Sequence, residues 1–240
     1  MIGRIKQYLF DLKISEQFTR EFLIKREEII RTQSRFAEYK GFLTGKKIVI
    51  VATGPSLNDY IPIPDAIHIG INKAYKRTDI KYDYFFLQDY VAVKDYIMEL
   101  KNVDGLKFVG KYILSNYMDA QIPESIVNEL EAVPYYVSYP IVSFAEDLSC
   151  TPFSGAGTTV ISALQFAVFA GASEIYLVGC DTSKSGYFDN KKNPNMNPKV
   201  LIKDYCAFKG FVDHCKINTK IISVNPVGLK GIFEDIYLGR

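Results

Sequence analysis

The stretch that most constrains the fold is Lys46 to Ser56, which reads Lys-Lys-Ile-Val-Ile-Val-Ala-Thr-Gly-Pro-Ser. Its β-branched apolar run, 48–51, is typical of a strand buried on both faces of a parallel sheet. In the loop that follows, Gly54 allows close backbone approach, while Pro55 fixes the next φ angle and removes a hydrogen-bond donor. Open α/β sheets bind nucleotides and phosphates at such strand ends. An ordinary turn is an equally good reading of this stretch alone, because the dinucleotide fingerprint G-x-G-x-x-G is absent.

Strands and helices are predicted to alternate along the rest of the chain. Further strands are expected at 67–72, 84–87, 106–114, 174–179 and 220–224, and helices at 91–100, 123–133, 154–170 and 201–216. Residues 134–150 are aromatic and irregular, which is typical of a packed loop or of a lid over a site. The alternation predicts an α/β fold with a doubly wound, mostly parallel, Rossmann-like sheet over 46–240.

Residues 1–45 are predicted to be an N-terminal helical extension. The helix covers 1–40 and carries nine basic and six acidic residues, and Ile5, Leu9 and Leu12 share one of its faces. We expect it to pack on the domain or on another subunit; peripheral contact with an anionic membrane surface is the alternative. Charged residues interrupt every apolar run of the first 25 residues, so we expect no signal peptide and a cytoplasmic location.

Charge and cysteine content exclude several classes of function. The net charge of +2 provides no global field for nucleic-acid binding. The four cysteines have no C-x-x-C spacing, so they indicate scattered, reduced thiols and not a zinc site. No apolar stretch reaches the roughly 18 to 20 residues of a membrane-spanning helix.

Polar residues follow several of the predicted strands, and the carboxyl ends of parallel strands meet at one edge of a sheet. A Ser-Gly-Ala-Gly-Thr run that opens a helix adds a serine cap and N–H groups suited to an anion. Together they predict a nucleotide site that lacks the lysine of a Walker motif. Its predicted binding residues are Thr53, Gly54, Ser56, Asn72, Gln88, Asp89, Ser154, Gly155, Ala156, Gly157 and Thr158.

These motifs, in this order, resemble a known family. Gly-Pro-Ser-Leu at 54–57, a strand ending in Asn72, Ser154-Gly155 before an Ala-rich helix, and Gly-Ala-Ser-Glu-Ile-Tyr-Leu-Val-Gly-Cys-Asp at 171–181 are similar to bacterial sialyltransferases of glycosyltransferase family 42. They are also similar to the related 6-hydroxymethylpterin diphosphokinase-like proteins, which include flagellin accessory factors. The resemblance spans residues 46–227 and leaves the N-terminal helix outside it.

The resemblance implies a metal-independent, inverting transferase that takes a CMP-sugar and needs no cofactor. The loop after the first strand, the asparagine and the Ser-Gly helix start would contact nucleotide or sugar. Asp181 would shape the end of the central strand. Tyr187 would match a family tyrosine that holds the phosphate as it leaves, since its hydroxyl can donate a hydrogen bond to the developing charge.

The sequence departs from the family pattern at three places. Thr53 replaces an asparagine, Ser183 stands where a first tyrosine is expected, and 185–199 lacks the family's base histidine. We expect His68 to be structural and His214 to be a surface or packing residue. Asp181 or Asp189 is therefore the candidate base, although a carboxylate needs a raised pKa for that role.

The leading hypothesis is a glycosyltransferase that moves an acidic sugar from a CMP-activated donor to a cell-surface glycan. One alternative is a Mg-ATP-dependent diphosphokinase-like enzyme, with Asp89 or Asp181 as magnesium ligands. Another is a nucleotide-binding subunit that has lost its base. Donor nucleotide and glycan acceptor are the expected partners, nucleic acid is not, and the membrane contact or homo-oligomerisation through the first helix stays open.

Overall fold

A computed structural model describes residues 2–192 and 197–238, with side chains from residue 10 onward. Eight strands form one sheet in the order β5-β4-β3-β2-β1-β6-β7-β8, and every neighbouring pair is parallel. The strands are β1 Lys47–Val51, β2 Ile67–Ile71, β3 Tyr84–Leu87, β4 Leu106–Tyr112, β5 Val133–Val137, β6 Glu174–Val178, β7 Lys220–Val224 and β8 Glu234–Ile236. The predicted Rossmann-like α/β class is confirmed.

The direction of winding reverses beside the first strand. From β1 the chain builds outward through β2, β3 and β4 to β5, then returns to place β6 on the other side of β1. The loops that follow β1 and β6 therefore leave the sheet on diverging courses. In open α/β sheets the ligand crevice lies at this point, outside the carboxyl ends of the strands.

Helices cover both faces of the sheet. The α-helices are α1 Ile2–Gln33, α2 Tyr90–Val93, α3 Glu124–Glu129, α4 Thr159–Phe169 and α5 Pro198–His214, and short 3₁₀ helices occupy Ser34–Tyr39, Pro55–Asp59, Asn72–Lys76, Ile97–Asn102 and Ser115–Ala120. Alternate residues of β1 face the two cores: Ile48 and Ile50 pack with α4 and α5, whereas Val49 and Val51 pack with α2, α3 and the adjoining 3₁₀ turns. Burial on both faces accounts for the continuous apolar runs in the strands.

Two strands were missed from the sequence, and they lie at the two edges of the sheet. Residues 134–137 were predicted as part of an irregular loop and residue 133 as the end of a helix, but 133–137 form β5; 234–236 form β8. Pro134 is tolerated in β5 because an edge strand pairs on one side only. Both strands escape detection because an edge strand lacks the uniform apolar run of a central one.

Several predicted helices are shorter than expected, and two of them differ for identifiable reasons. Residues 91–100 are split between α2 and a 3₁₀ helix, because Tyr96 departs from helical geometry with φ −142° and ψ −2°. The helix predicted from Ser154 begins at Thr159, and Thr158, not Ser154, is its cap: the Thr158 hydroxyl accepts from the Val160 N–H at 3.3 Å. The prediction of a serine cap is therefore wrong.

The second half of α1 is fixed to the β5 side of the sheet. The amide nitrogen of the fully buried Gln33 donates to the carbonyls of Leu148 and Thr151, both at 2.9 Å, and its oxygen accepts from the Tyr136 N–H at 2.9 Å. Phe36, in the turn after the helix, is fully buried in the larger core. The division at residue 45 stays a prediction.

The opposite side of α1 is exposed and partly apolar. Leu12, Leu23 and Ile30 are exposed there, whereas the side chains of Ile5 and Leu9 lie outside the described residues. Within the described chain, no helix is long and apolar enough to cross a membrane. Whether this side meets a lipid surface or a second subunit stays a prediction.

Candidate functional site

A cleft of about 720 Å³ opens at the carboxyl edge of the sheet, where the loops after β1 and β6 diverge. Ten of the predicted site residues line it: Thr53, Gly54, Asn72, Gln88, Asp89, Ala156, Gly157, Thr158, Asp181 and Tyr187. Four do not line it: Ser56, Ser154, Gly155 and Asp189. The cleft volume lies within the roughly 300 to 1,000 Å³ of small-molecule sites.

The loops after β1 and β6 are joined through the carboxylate of Asp181. One of its oxygens accepts from the Ser56 N–H at 2.8 Å, and the other accepts from the Ser56 hydroxyl. Burial raises the pKa of Asp181, and the Ser56 hydrogen bonds oppose that rise. Ser56 therefore acts in this structure as the partner of Asp181, and Asp181 has both oxygens engaged.

Gly54 is required by packing at this junction. A Cβ there would lie 2.6 Å from a carboxylate oxygen of Asp181 and 2.6 Å from the carbonyl oxygen of Gly179, to which the Gly54 N–H donates at 2.8 Å. Its φ of −71° needs no glycine. The sequence correctly predicts that Gly54 allows another group to approach its backbone closely. The group that approaches it in the structure is the end of β6.

Asn72 follows β2 and lines the cleft, and its side-chain oxygen is a hydrogen-bond acceptor without a partner among the described residues. Its φ is +52°, a left-handed conformation that asparagine adopts more readily than most residues. Its side-chain oxygen is buried and has no hydrogen-bond partner among the described residues. Because buried acceptors are nearly always paired, this oxygen calls for a donor from a ligand or water.

Gln88 and Asp89 follow β3 but differ in how they are held. Gln88 is buried, and its side-chain oxygen accepts from the Ser162 hydroxyl of α4 at 3.2 Å. Asp89 is half-buried and caps α2, with one oxygen accepting from the Val91 N–H at 2.9 Å. Gln88 is therefore fixed by the core, whereas the Asp89 carboxylate lies at the cleft surface.

Part of the backbone in the loop before α4, where the sequence predicts an anion site, is already hydrogen-bonded within the protein. The Gly155 N–H donates to the Ile141 carbonyl at 3.1 Å, and the Gly157 N–H donates to the carboxylate of Asp204 at 2.9 Å. A Cβ on Gly155 would lie 2.0 Å from the backbone of Tyr139. A carboxylate, Asp204, thus already lies at the loop that leads into α4, and burial raises its pKa.

Tyr187 lines the cleft beside a cation that sequence reasoning missed. The ammonium of Lys73 lies 4.0 Å from the centre of the Tyr187 ring and donates to both carboxylate oxygens of Asp189, at 2.8 and 2.7 Å. These hydrogen bonds hold the pKa of Asp189 below its usual value despite partial burial. A carboxylate paired in this way is a poor proton acceptor.

Three further tyrosines that line the cleft contact one another. Tyr112, Tyr117 and Tyr139 all line it, and the rings of the last two meet edge to face at 4.8 Å between centroids. They come from β4, the following 3₁₀ helix and the loop after β5. The aromatic content of 134–150 was the available signal, but the pairing with the other two residues is a tertiary contact.

Neither histidine belongs to the cleft. His68 is buried in β2, where one ring nitrogen is 3.0 Å from the Tyr60 hydroxyl and burial lowers its pKa. His214 ends α5 on the surface. No cluster of three or more His, Cys, Asp or Glu side chains with metal-site geometry occurs in the part of the chain that the structure describes.

No protein-family model matches the sequence, and no curated protein matches it. Among solved structures, the chain is similar to the sialyltransferase CstII from Campylobacter jejuni in complex with a substrate analogue, CMP-3FNeuAc. The TM-score is 0.44 and the identity 16%, over 81% of this chain and 86% of that one. That protein is a sialyltransferase, the class of enzyme that the sequence motifs resemble. At this level the likeness assigns no ligand, and the site must be judged on its own geometry.

Proposed function

We propose that this protein is a glycosyltransferase that moves an acidic sugar from a CMP-activated donor to a glycan acceptor. The observation that carries the proposal is the position of the cleft, at the switch point of an all-parallel sheet, with polar side chains from four strand ends on its wall. The ordered motifs that resemble family 42 supply the identity of the nucleotide.

The charges around the cleft suggest how a donor is oriented. Asp204 places a carboxylate behind the start of α4, whereas Lys73 places an ammonium beside Tyr187. The Asp204 carboxylate repels a phosphate, whereas Lys73 offsets the charge of Asp189 and so leaves no net negative charge beside Tyr187. We therefore place the phosphate at the Tyr187 side and leave the start of α4 to uncharged parts of the donor.

The transfer itself needs one bond broken and one formed. An acceptor hydroxyl attacks the anomeric carbon, the bond from that carbon to a phosphate oxygen breaks, and CMP leaves with the electron pair. Tyr187 is the residue that donates a hydrogen bond to the departing phosphate. Metal ions and cofactors have no role in this proposal.

The acceptor proton goes to Asp89 in our proposal. Both oxygens of Asp181 are taken by Ser56, and Asp189 is paired with Lys73, so neither of the earlier candidates is well placed to accept it. Asp89 is the other carboxylate that lines the cleft in the described chain, and its cap to α2 uses one oxygen.

Isothermal titration calorimetry with CMP, CMP-sialic acid, UMP and ATP tests the proposal. We expect the cytidine ligands to bind and the Asn72→Asp variant, which adds a negative charge to the wall of a cleft that holds an anionic ligand, to bind CMP at least about tenfold more weakly. Asn128→Asp, an exposed substitution on α3, is the matched control.

The outcomes separate the three hypotheses. Failure of every cytidine ligand to bind removes the transferase proposal. ATP binding that disappears with a chelator supports the diphosphokinase instead. Binding of CMP-sialic acid without transfer or hydrolysis, with any acceptor supplied, supports a non-catalytic nucleotide-binding subunit.

A further inference from the structure

A nearly buried ion pair lies beside the cleft. Lys73, in the 3₁₀ helix after β2, and Asp189, in the loop after β6, are 116 positions apart in sequence. Their side chains are 9% and 23% exposed, and the lysine makes two hydrogen bonds to the one carboxylate. The other described ion pairs with lysine have a lysine at least 20% exposed, so this pair is the most buried of them.

Burying the charged side chain of Lys73 costs free energy, because the ammonium loses its hydration. Burial lowers the pKa of Lys73, although the carboxylate of Asp189 opposes the fall. A buried ion pair is weak evidence for stability, because desolvation offsets much of the attraction. Such a pair is better explained by what its geometry fixes.

What it fixes is the loop that carries Tyr187. Two other bonds hold the same segment: the Phe188 N–H donates to the Thr53 carbonyl at 2.9 Å, and the Asn58 side chain donates to the Phe188 carbonyl at 3.1 Å. Both attach the loop to residues after β1. Lys73 adds the attachment to β2 and at the same time lies over the face of the Tyr187 ring, at 4.0 Å, where a cation is attracted.

We propose that Lys73 and Asp189 form a latch that positions Tyr187 in the cleft. They are positioning residues: neither touches the reacting atoms, and Asp189 is not the base. The latch restrains the loop through the carboxylate and the tyrosine ring through the ammonium. That the positioned hydroxyl meets a phosphate rests on the proposed function; that the latch holds the loop does not.

The exact position of the Tyr187 hydroxyl is expected to affect the rate of transfer. A displacement of about 1 Å of a group that contacts the transition state can cost on the order of 100-fold in rate. A loop held only by its two hydrogen bonds to residues after β1 can shift by that distance while remaining folded. The latch therefore affects the Tyr187 side chain more than the overall stability.

Amide hydrogen exchange of the ligand-free protein tests the latch independently of function. In Asp189→Asn and Lys73→Met, we expect the amides of Tyr187, Phe188 and Asn190 to exchange about tenfold faster or more, which equals about 1.4 kcal/mol of local opening. Lys101→Met, which breaks the exposed pair with Glu129, is the control and leaves these amides unchanged. Wild-type exchange in Asp189→Asn overturns the latch, and this variant decides the matter if Lys73→Met fails to fold.

A second measurement asks whether the latch acts through Tyr187. We expect Asp189→Asn to weaken CMP binding about three- to tenfold in the wild-type background and to have no further effect in Tyr187→Phe. Additive losses overturn the positioning role, because a merely structural defect adds to the loss of the hydroxyl. If the wild-type protein binds no CMP, the proposed function fails, while the exchange experiment still decides the latch.

Discussion

Gly54→Ala is the substitution whose effect follows most directly from the structure. The added methyl group would lie 2.6 Å from an Asp181 oxygen and 2.6 Å from the Gly179 carbonyl, well below the 3.4 Å at which ordinary contact begins. The second of these atoms is backbone at the end of β6 and cannot rotate away. The loop after β1 must therefore move off β6 or the strand end must shift.

Overpacking of this kind costs about 1–3 kcal/mol. For a chain of 240 residues, each kcal/mol lowers the midpoint of thermal unfolding by about 2–4 °C, so we expect a fall of about 2–12 °C. Differential scanning calorimetry measures it. Replacing Asp181 by Ala in the same chain relieves only part of the loss, because the contact with Gly179 remains.

Gly210→Ala is the matched control. Gly210 lies inside α5, and a Cβ there has no atom within 4 Å among its described surroundings. Alanine is favoured over glycine in a helix by about 0.5–1 kcal/mol, so this variant should be more stable than the wild type. Unchanged stability of Gly54→Ala, beside a stabilised Gly210→Ala, would refute the packing account of the loop.

Three further predictions concern other parts of the molecule. Gln33→Leu leaves its three backbone partners without a buried hydrogen bond and should lower the free energy of unfolding by about 3 kcal/mol or more, measured in urea. The Lys40 ammonium and Ser149 hold the pKa of Asp147 at about 2, below its ordinary 3.8. Asp147 therefore stabilises the fold above pH 4, and this contribution is lost as the pH falls toward 2. Asp147→Asn should flatten that part of the plot of stability against pH, and an equally steep plot would contradict the prediction. Asp204→Asn removes the negative charge at the start of α4 and should strengthen CMP binding about two- to fivefold by calorimetry, whereas weaker binding would show that the carboxylate contacts the ligand.

The central strands could be predicted from the sequence because each is buried on both faces. The strands predicted at 84–87 and 220–224 have the observed ends, and the strand predicted at 48–51 differs from β1 only by omitting Lys47. The edge strands β5 and β8 carry a proline and charged residues, respectively, so no continuous apolar run marks them. Local pattern is informative where burial is uniform, and weak where a strand faces solvent on one side.

The site was predictable to the same degree. Parallel strands bring their carboxyl ends to one edge, so the meeting of Thr53, Asn72 and Asp181 at one cleft followed from topology. The roles of individual residues did not follow, because they depend on long-range contacts. Lys73 pairs with Asp189 only in the folded chain, and nothing in the sequence around either residue indicates the pair.

The measurement that tests the central claim most directly is a crystal structure of the protein soaked with CMP. We predict nucleotide density in the cleft between the loops after β1 and β6, with a phosphate oxygen within hydrogen-bond distance of the Tyr187 hydroxyl and a ligand donor on the side-chain oxygen of Asn72. CMP bound at the start of α4 with its phosphate against Asp204, or bound outside the cleft, would contradict the account.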